Sequence, residues 1–278
     1  MIGQILQSSA LLLIVALGGL VAERSGILNI GLEGFITVGA FIAVAARVSG
    51  ASVTTALTVT ALTGVIPALV FGLFVLRWEA NPFIIGLAIN LLAAGTVPLF
   101  TEVFFATRGS IRLGAIAGVS IFTVVVIAGI AVILVWLVLF KTAAGLRMRV
   151  AGEEPLWLRA HHVGVRRYQL LGLVISGVFA ALAGGLLSLR IGAYLPNISS
   201  GRGWIALVII YLGYRRPLGI AAAALFFGLV EAMAVRAQAV LAVPPTILLA
   251  LPYLVTVLAF VTYSAWRAMP GDRSGGSR

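Results

Sequence analysis

Long apolar runs separated by short polar segments repeat along the whole chain. Most runs hold about 20 residues, the length that an α-helix needs to cross the roughly 30 Å hydrocarbon core of a bilayer. The pattern predicts an all-α polytopic membrane protein with about 8 to 9 transmembrane helices, because a helix satisfies its backbone groups within one segment. The run at 204–213 is too short to cross unaided, which predicts one short or broken helix. The runs cover residues 5–22, 32–46, 53–76, 82–100, 119–140, 170–189, 204–213, 218–235 and 247–266.

The charged residues between the runs set the predicted orientation. The longest polar connection, 141–169, holds six basic and two acidic residues, and cytoplasmic loops collect Lys and Arg. We therefore place this loop in the cytoplasm and the N-terminus outside. If the run at 204–213 crosses the membrane, the alternation of spans places Arg77, Arg215, Arg216 and the C-terminal arginines on the inside. If it does not cross, Arg215, Arg216 and the C-terminal arginines face outward, so the charge rule favours crossing.

Composition narrows the function classes. Hydrophobic residues make up 62% of the 278 residues and charged residues 10%, which excludes a richly charged soluble domain. We predict one transmembrane domain, 1–266, that contains the loop at 141–169, and a polar tail, 267–278. The net charge of +11 lies in clusters between runs, so it indicates membrane topology and not nucleic-acid binding. The absence of cysteine excludes disulfides and Cys-ligated metals. The first run lacks a basic leader and a cleavage site, so we expect a retained span.

One stretch near the N-terminus, 23–43, places charged and amide side chains and four glycines among apolar residues. Polar groups inside a bilayer are costly, so they indicate a buried pathway or a helix contact. Asn29 and Glu33 are four residues apart and would share one face of a helix. Glu23 and Arg24 then form a cytoplasmic gate or anchor. A helical stretch puts Glu33 about 15 Å further in, which weakens the case for a solute site in the middle of the membrane.

A carboxylate and an amide on one face can hydrogen-bond a sugar hydroxyl or a nucleobase edge, and aromatic rings can stack on a base. The predicted substrate pathway comprises Asn29, Glu33, Asn90, Phe83 and Trp204. The structural alternatives are that Glu33 pairs with Arg24 or caps a helix start, and that Asn90 only binds a neighbouring helix.

Two short segments suggest an internal repeat. Residues 33–36 and 202–205 each place a charge and a glycine before an aromatic, apolar helix start. On the predicted topology they enter from opposite sides, as an inverted repeat requires, and chance similarity is the alternative. For Glu231 we expect an ion pair with Arg236 near the outer surface. The glycines and alanines of 180–185 favour close helix packing over ligand binding.

The cytoplasmic loop contains a helix start. Pro155 presets φ for a first helical turn, and Glu153 and Glu154 before it favour the positive end of the helix dipole. We predict a short helix, 155–162, that docks into a groove on a partner protein. The alternative is a solvated basic loop against anionic lipid head groups. The residues presented would be Trp157, Leu158, His161 and His162. The two histidines do not predict a metal site, because adjacent residues diverge on a helix and neither Cys nor carboxylate completes a ligand set.

Three stretches resemble the permease subunits of bacterial ABC importers for nucleosides and simple sugars, within the group that includes ribose and branched-chain amino-acid permeases. They are ERSGILNIGLEGFITVGAF, KTAAGLRMRVAGEEPLWLRAHHVGV followed by SGVFAALAGGLLSL, and GRGWIALVIIYLGYRRPLG with the later LPYLVTVLAFV. In the loop, the family pattern T-x-x-G-x-x-x-R-x-x-G-E-N-P is matched by Thr142, Gly145, Arg149, Gly152, Glu153 and Pro155. The departures are Glu154 in place of Asn, and bulky Trp157, Leu158 and His162 in place of small residues.

The resemblance implies that the loop helix couples the permease to its ATPase. The residues implied are Gly152, Glu153, Glu154, Pro155, Leu156, Trp157, Leu158, His161 and His162. The resemblance also implies that the chain lies in the bacterial inner membrane. It implies three protein partners: an ABC ATPase, a second related permease in a heterodimer, and an extracytoplasmic substrate-binding lipoprotein.

The predicted function is that of a permease subunit that translocates a nucleoside or a simple sugar. This chain would hold no catalytic residue, metal or cofactor, and ATP and Mg²⁺ would bind the ATPase, because the sequence has no GxxxxGK[ST] phosphate loop. The alternative is a stand-alone ion-coupled secondary transporter of a small polar solute, with Glu33 or Glu231 titrating in the membrane. A membrane-embedded enzyme is disfavoured because no catalytic constellation converges.

Overall fold

The computed structural model describes residues 2–107, 109–114, 118–240 and 261. The last predicted run, 247–266, and the tail, 267–278, therefore lie outside the described residues apart from Val261. So do Leu251, Pro252 and Tyr253 of the third family-like stretch.

Most described residues are helical, as the hydrophobic pattern predicts. The helices are α1 (Ile2–Arg24), α2 (Leu32–Val48), α3 (Val53–Thr63), α4 (Val65–Gly72), α5 (Pro82–Phe105), α6 (Ile121–Lys141), α7 (Ala143–Glu153), α8 (Pro155–Ala160), α9 (Val165–Ile191), α10 (Arg202–Leu212) and α11 (Pro217–Val240), with a π-helical turn at Leu73–Arg77 after α4. Two short strands, β1 (Ile111–Arg112) and β2 (Ala193–Tyr194), pair antiparallel. The all-α prediction missed this small ladder, which joins the loop after α5 to the end of α9.

Six segments in the described part of the chain are long and apolar enough to cross a membrane. They are Ile2–Arg24, Val53–Arg77, Pro82–Phe105, Ile121–Lys141, Val165–Ile191 and Pro217–Ala237. The chain is therefore a multi-pass membrane protein. Two further apolar helices, α2 and α10, are shorter than these segments, with 17 and 11 residues. The short α10 matches the short run predicted at 204–213.

The centre of the bundle is formed by α1 and α9. Helix α1 packs along α6, α9, α10 and α11, and α9 packs along α1, α2, α3 and α4. In the apolar stretch of each span, 72% of the residues of α1 and 61% of those of α9 are buried, against 22% of the residues of α5 and of α6. The outer helices expose Leu, Ile and Phe side chains, as expected where a helix contacts lipid. Polar groups on α1, α2 and α9 therefore lie in the interior.

The chain between α1 and α2 is not helical over residues 25–31. Gly26 has a φ of +97°, a left-handed conformation that favours glycine, and a Cβ there would lie 2.9 Å from the Cα of Gly152. The expectation that Asn29 and Glu33 share a helical face is wrong, because Asn29 precedes the helix on which Glu33 lies.

Glycines bring α2 and α9 together. A Cβ at Gly39 would lie 2.1 Å from the carbonyl oxygen of Ala181, and a Cβ at Gly184 would lie 2.0 Å from that of Ile36. Backbones can approach this closely only without a side chain, and such contacts hold helices together where lipid removes the hydrophobic driving force. The prediction that 180–185 serves close helix packing is confirmed.

We expect Gly39→Ala to lower the free energy of unfolding by about 1–3 kcal/mol or more, because the new methyl group overlaps the backbone of α9. Thermal unfolding of the purified protein in detergent measures the change. Gly129→Ala on α6 is the matched control, since nothing lies within 4 Å of a Cβ at that position. Equal melting temperatures for the two variants would show that the α2–α9 contact is not as close as described.

Candidate functional site

Glu33, in the first turn of α2, joins the starts of two helices. Its Oε1 accepts the N–H of Gly201 at 2.5 Å, and its Oε2 accepts the N–H of Gly203 at 2.7 Å. These donors open α10, where the first N–H groups have no partner within the helix and the helix dipole is positive. The Glu33 carboxylate therefore caps the start of α10, which is one of the structural alternatives considered for this residue.

The start of α10 requires glycine on both sides of Arg202. Gly201 has a φ of +77°, and a Cβ at Gly203 would lie 2.5 Å from the backbone nitrogen of Glu33. Any side chain at Gly203 would therefore push the two helix starts apart. The G-R-G sequence is what lets the carboxylate reach both amides.

The length of α10 indicates how deep in the membrane the junction of α2 and α10 lies. From the junction, the 11 residues of α10 rise about 16 Å along its axis. Beyond the end of α10, Arg215 pairs with Glu23 at the end of α1, so this end is the predicted cytoplasmic side. A rise of about 16 Å is half of the roughly 30 Å core. We therefore predict that the junction lies near the middle of the membrane.

Two asparagines hold the non-helical segment before α2 in place. Asn29 is fully buried; its Nδ2 donates to the hydroxyl of Ser176 at 3.0 Å, and its Oδ1 accepts the N–H of Gly31 at 3.0 Å. Asn90 on α5 accepts the N–H of Gly34, in the first turn of α2, at 2.8 Å. It also donates to the carbonyl oxygen of Ile30, in the non-helical segment, at 3.0 Å. Both amides therefore satisfy backbone groups that lipid would leave unpaired.

Of the five predicted pathway residues, Asn29, Asn90 and Glu33 converge on the start of α2. Phe83 and Trp204 lie in the first turns of α5 and α10, where 51% and 38% of their surfaces are exposed. A role for these residues in substrate passage stays a prediction.

An ion pair beside the junction extends the polar cluster. Arg202, in the first turn of α10, donates to the carboxylate of Glu231 on α11 and to the carbonyl oxygen of Ile198 at 3.1 Å. The sequence predicted a different partner, Arg236, because spacing along one helix was the only guide. The sequence does indicate that both residues need a partner, because Arg202 and Glu231 carry opposite charges inside or next to an apolar run. Arg202 Nε and Glu231 Oε2 are buried and have no hydrogen-bond partner among the described residues.

A second cluster closes the end of the bundle that we predict to be cytoplasmic. Arg24 donates to Glu153 at 2.8 Å and to the carbonyl oxygen of Arg215 at 2.9 Å, and the guanidinium of Arg215 donates to Glu23 at 2.9 Å. The negative charge of Glu23 raises the pKa of Arg215 above its ordinary value. The end of α7 is thus tied to the ends of α1 and α10.

Each matched position of the loop pattern has a structural role. Thr142 caps α7 by accepting the N–H of Gly145 at 3.0 Å, and a Cβ at Gly145 would lie 1.9 Å from a carbonyl oxygen of α6. Arg149 donates to the carbonyl oxygen of Leu139 at 3.0 Å, near the end of α6. A Cβ at Gly152 would lie 2.5 Å from the carbonyl oxygen of Arg24. The pattern therefore fixes α7 against the ends of α6 and α1.

The short helix α8 begins at Pro155, as predicted, but ends at Ala160. His162 has a φ of +55°, which ends the turn before the predicted limit. Leu156 and Trp157 are exposed at 74% and 52% of their surface.

The prediction that Leu158 is presented to a partner is wrong, because it is 1% exposed and packs into the bundle. The ring of His161 stacks on that of Trp157, with centroids 4.0 Å apart. A groove of about 610 Å³ separates α7 from α8 and is lined by the side chains of both helices. Among the described residues no three His, Asp or Glu side chains are arranged to hold a metal ion.

Comparison with known proteins gives one family. The family described as "Branched-chain amino acid transport system / permease component" matches residues 1–260. This match covers both the junction of α2 and α10 and the cluster around Arg24 and Arg215.

Three relatives are similar over most of their length. The chain is 30% identical to the guanosine ABC transporter permease protein NupQ of Bacillus subtilis, over 92% of this chain and 89% of that protein. It is 28% identical to the nucleoside ABC transporter permease protein NupC of Lactococcus lactis, over 91% and 88%. It is 30% identical to the putative glucose ABC transporter permease protein TsgC13 of Haloferax volcanii, over 84% and 76%.

We expect Glu33→Gln to lower the free energy of unfolding by about 1–3 kcal/mol, because an amide NH₂ would replace one of the two acceptors and leave a buried N–H of α10 unpaired. Denaturant unfolding in detergent measures the loss. Glu79→Gln is the control, since the pair of Glu79 with Arg166 is largely exposed and such pairs contribute about 0–1 kcal/mol. Equal losses in the two variants would contradict the cap.

Proposed function

We propose that this chain, which belongs to the branched-chain amino acid transport system permease family and is the permease subunit of an ABC importer, carries a nucleoside across the bacterial inner membrane. The observation that carries the proposal is the polar junction of α2 and α10, where Glu33, Arg202 and Glu231 lie within the bundle. A simple sugar is the alternative substrate, because a putative glucose permease is also 30% identical to this chain, over a smaller share of both proteins than the guanosine permease.

The chemistry of the junction suits a solute rich in hydroxyl groups. A carboxylate accepts hydroxyl protons and a guanidinium donates to hydroxyl oxygens, and both occur in the pair of Arg202 and Glu231. Each of these side chains keeps one buried polar atom without a partner in the described part of the chain. We propose that Arg202, Glu231 and Glu33 border the solute path, with Trp204 and Phe83 as stacking surfaces and Asn29 and Asn90 holding the α2 start.

The cytoplasmic cluster offers a route from the ATPase to the junction. We propose that α8 docks on a separate ABC ATPase, which binds ATP and Mg²⁺ and performs the hydrolysis. Movement of α7 would then pull on Arg24 through Glu153, and on the end of α10 through Arg215. Because α10 is a short rigid helix, a shift of its cytoplasmic end would move its start relative to Glu33. The hydrolysis cycle would in this way open and close the mid-membrane junction.

The proposed assembly contains a second related permease, as a heterodimer, and an extracytoplasmic binding lipoprotein that delivers the solute. Counting α2, α10 and the run at 247–266 with the six long segments gives nine crossings of one domain, 1–266, before the tail. The packing also fits an inverted repeat, because α1 packs along α10 and α11 as α9 packs along α2 and α3, and the starts of α2 and α10 meet.

Uptake by proteoliposomes that contain the whole transporter tests the substrate. We expect ATP-dependent uptake of radiolabelled guanosine to exceed uptake of ribose or glucose by about tenfold or more, since a base adds stacking to hydroxyl contacts. A preference for a free sugar would overturn the nucleoside assignment. Uptake by this chain alone under a proton gradient would overturn the ATP-driven mechanism.

We expect Leu156→Ala and Trp157→Ala each to lower the amount of ATPase that co-purifies with the permease by about tenfold, because exposed apolar anchors dominate binding energy at interfaces. Quantitative immunoblotting of the purified complex measures the loss. Leu195→Ala is the matched control, because Leu195 is 40% exposed in the loop at the opposite end of α9. Unchanged co-purification of both α8 variants would contradict docking through α8. Gly152 does not suit this test, because any side chain there disturbs the contact with Arg24.

A further inference from the structure

A second groove opens on the side of the bundle, away from the groove between α7 and α8. It has a volume of about 500 Å³ and lies between the cytoplasmic half of the Val53–Arg77 span and the start of α9. One wall is formed by residues 69–77 of the span, and the other by the first turns of α9. The lining residues are Leu69, Gly72, Leu73, Leu76, Arg77, Arg166, Arg167 and Leu170. We call it the α4–α9 groove.

The α4–α9 groove is apolar at one end and cationic at the other. Leu69 and Leu73 each expose 46% of their surface in the span, whereas the three arginines gather where the span ends and α9 begins. A Cβ at Gly72 would lie 2.4 Å from a methyl group of Leu170, so the two helices meet at the floor of the groove. The apolar end is therefore open at membrane depth, and the charged end faces the cytoplasm.

The cationic end lies at the level of the lipid head groups. Trp78 follows Arg77 directly, is 59% exposed and packs edge-on against Phe74 at 4.8 Å. Exposed tryptophan is typical of the membrane–water interface. This position marks the cytoplasmic leaflet, because Arg77 and the loop before α9 share the cytoplasmic side of the bundle.

The charge at this end is only partly compensated. Arg166 pairs with Glu79 at 3.1 Å, and both side chains are largely exposed. None of the described ion pairs involves Arg77 or Arg167. The groove therefore presents a net positive charge directly beneath an exposed apolar channel.

We propose that the α4–α9 groove binds one anionic phospholipid of the cytoplasmic leaflet. Its acyl chain lies along Leu69, Leu73 and Leu170, and its phosphate lies between Arg77 and Arg167. The order of apolar and cationic groups along the groove matches the order of chain and phosphate in a lipid, and basic pockets between transmembrane helices recognise such head groups. An apolar face of a second permease would cover the leucines but would leave the arginines without an anion.

Native mass spectrometry of the full-length chain tests the site. The protein is reconstituted in mixed phosphatidylglycerol and phosphatidylcholine, extracted in detergent, and the lipids retained on each chain are counted. We expect one phosphatidylglycerol to be retained in preference to phosphatidylcholine. In Arg77→Gln/Arg167→Gln we expect retention to fall by about 25-fold, since each basic residue near the surface contributes about fivefold. Arg190→Gln, an exposed arginine at the other end of α9, is the charge control and should retain the lipid.

A second variant separates lipid binding from a general charge effect. Leu73→Trp keeps all three arginines but fills the apolar channel, so it should also lose the lipid, whereas Leu137→Trp on the exposed face of α6 should not. Monodispersity in gel filtration confirms that each variant is folded. Equal retention in the parent and both groove variants would overturn the proposal, as would equal retention of phosphatidylcholine. The chain contains no cysteine, so Leu73→Cys can be labelled with a photoreactive maleimide. A crosslink from this label to a second permease or an ATPase would also overturn the proposal, because it would show a protein in the groove.

Discussion

The carboxylate of Glu33 is the interaction on which the centre of the bundle depends. In a bilayer, an N–H group without an acceptor costs several kcal/mol, and two helices that begin inside the bundle bring several such groups with them. Glu33 satisfies two of them at the start of α10, and Asn90 satisfies one at the start of α2. The membrane can hold these interrupted helices only because polar side chains replace the missing helical partners.

The same requirement explains which features could be predicted from the sequence. Bilayer thickness imposes a length on each span, so hydropathy located the six long spans in the described part of the chain and the unusually short α10. Glycine and proline chemistry located the close helix packing at 180–185 and the start of α8. The polar residues in the apolar runs were also recognised as belonging to the interior, because lipid does not tolerate them.

What the sequence could not predict were the partners of those polar residues. Glu33 meets Gly201 across 168 residues, and only the packing of α10 along α1 and α2 brings them together. The partner of Glu231 lies on another helix for the same reason. The apolar runs end at 22 and resume at 32, but hydropathy does not show whether the chain between them is helical. Leu158 is buried because α8 packs against its neighbours α7 and α9, which the type of side chain alone does not indicate.

The account links the cytoplasmic cluster to the mid-membrane junction through α10, and its central claim is that Glu33 holds the start of that helix. Hydrogen–deuterium exchange of the segment 199–205 in lipid nanodiscs, compared between the parent chain and Glu33→Gln, tests this claim most directly. The account predicts that at least one of the amides of Gly201 and Gly203, the one that faces the new NH₂ group, exchanges about tenfold faster or more in the variant, because it loses its acceptor, while exchange at the far end of α10 is unchanged. Equal exchange of these two amides in both proteins would contradict it.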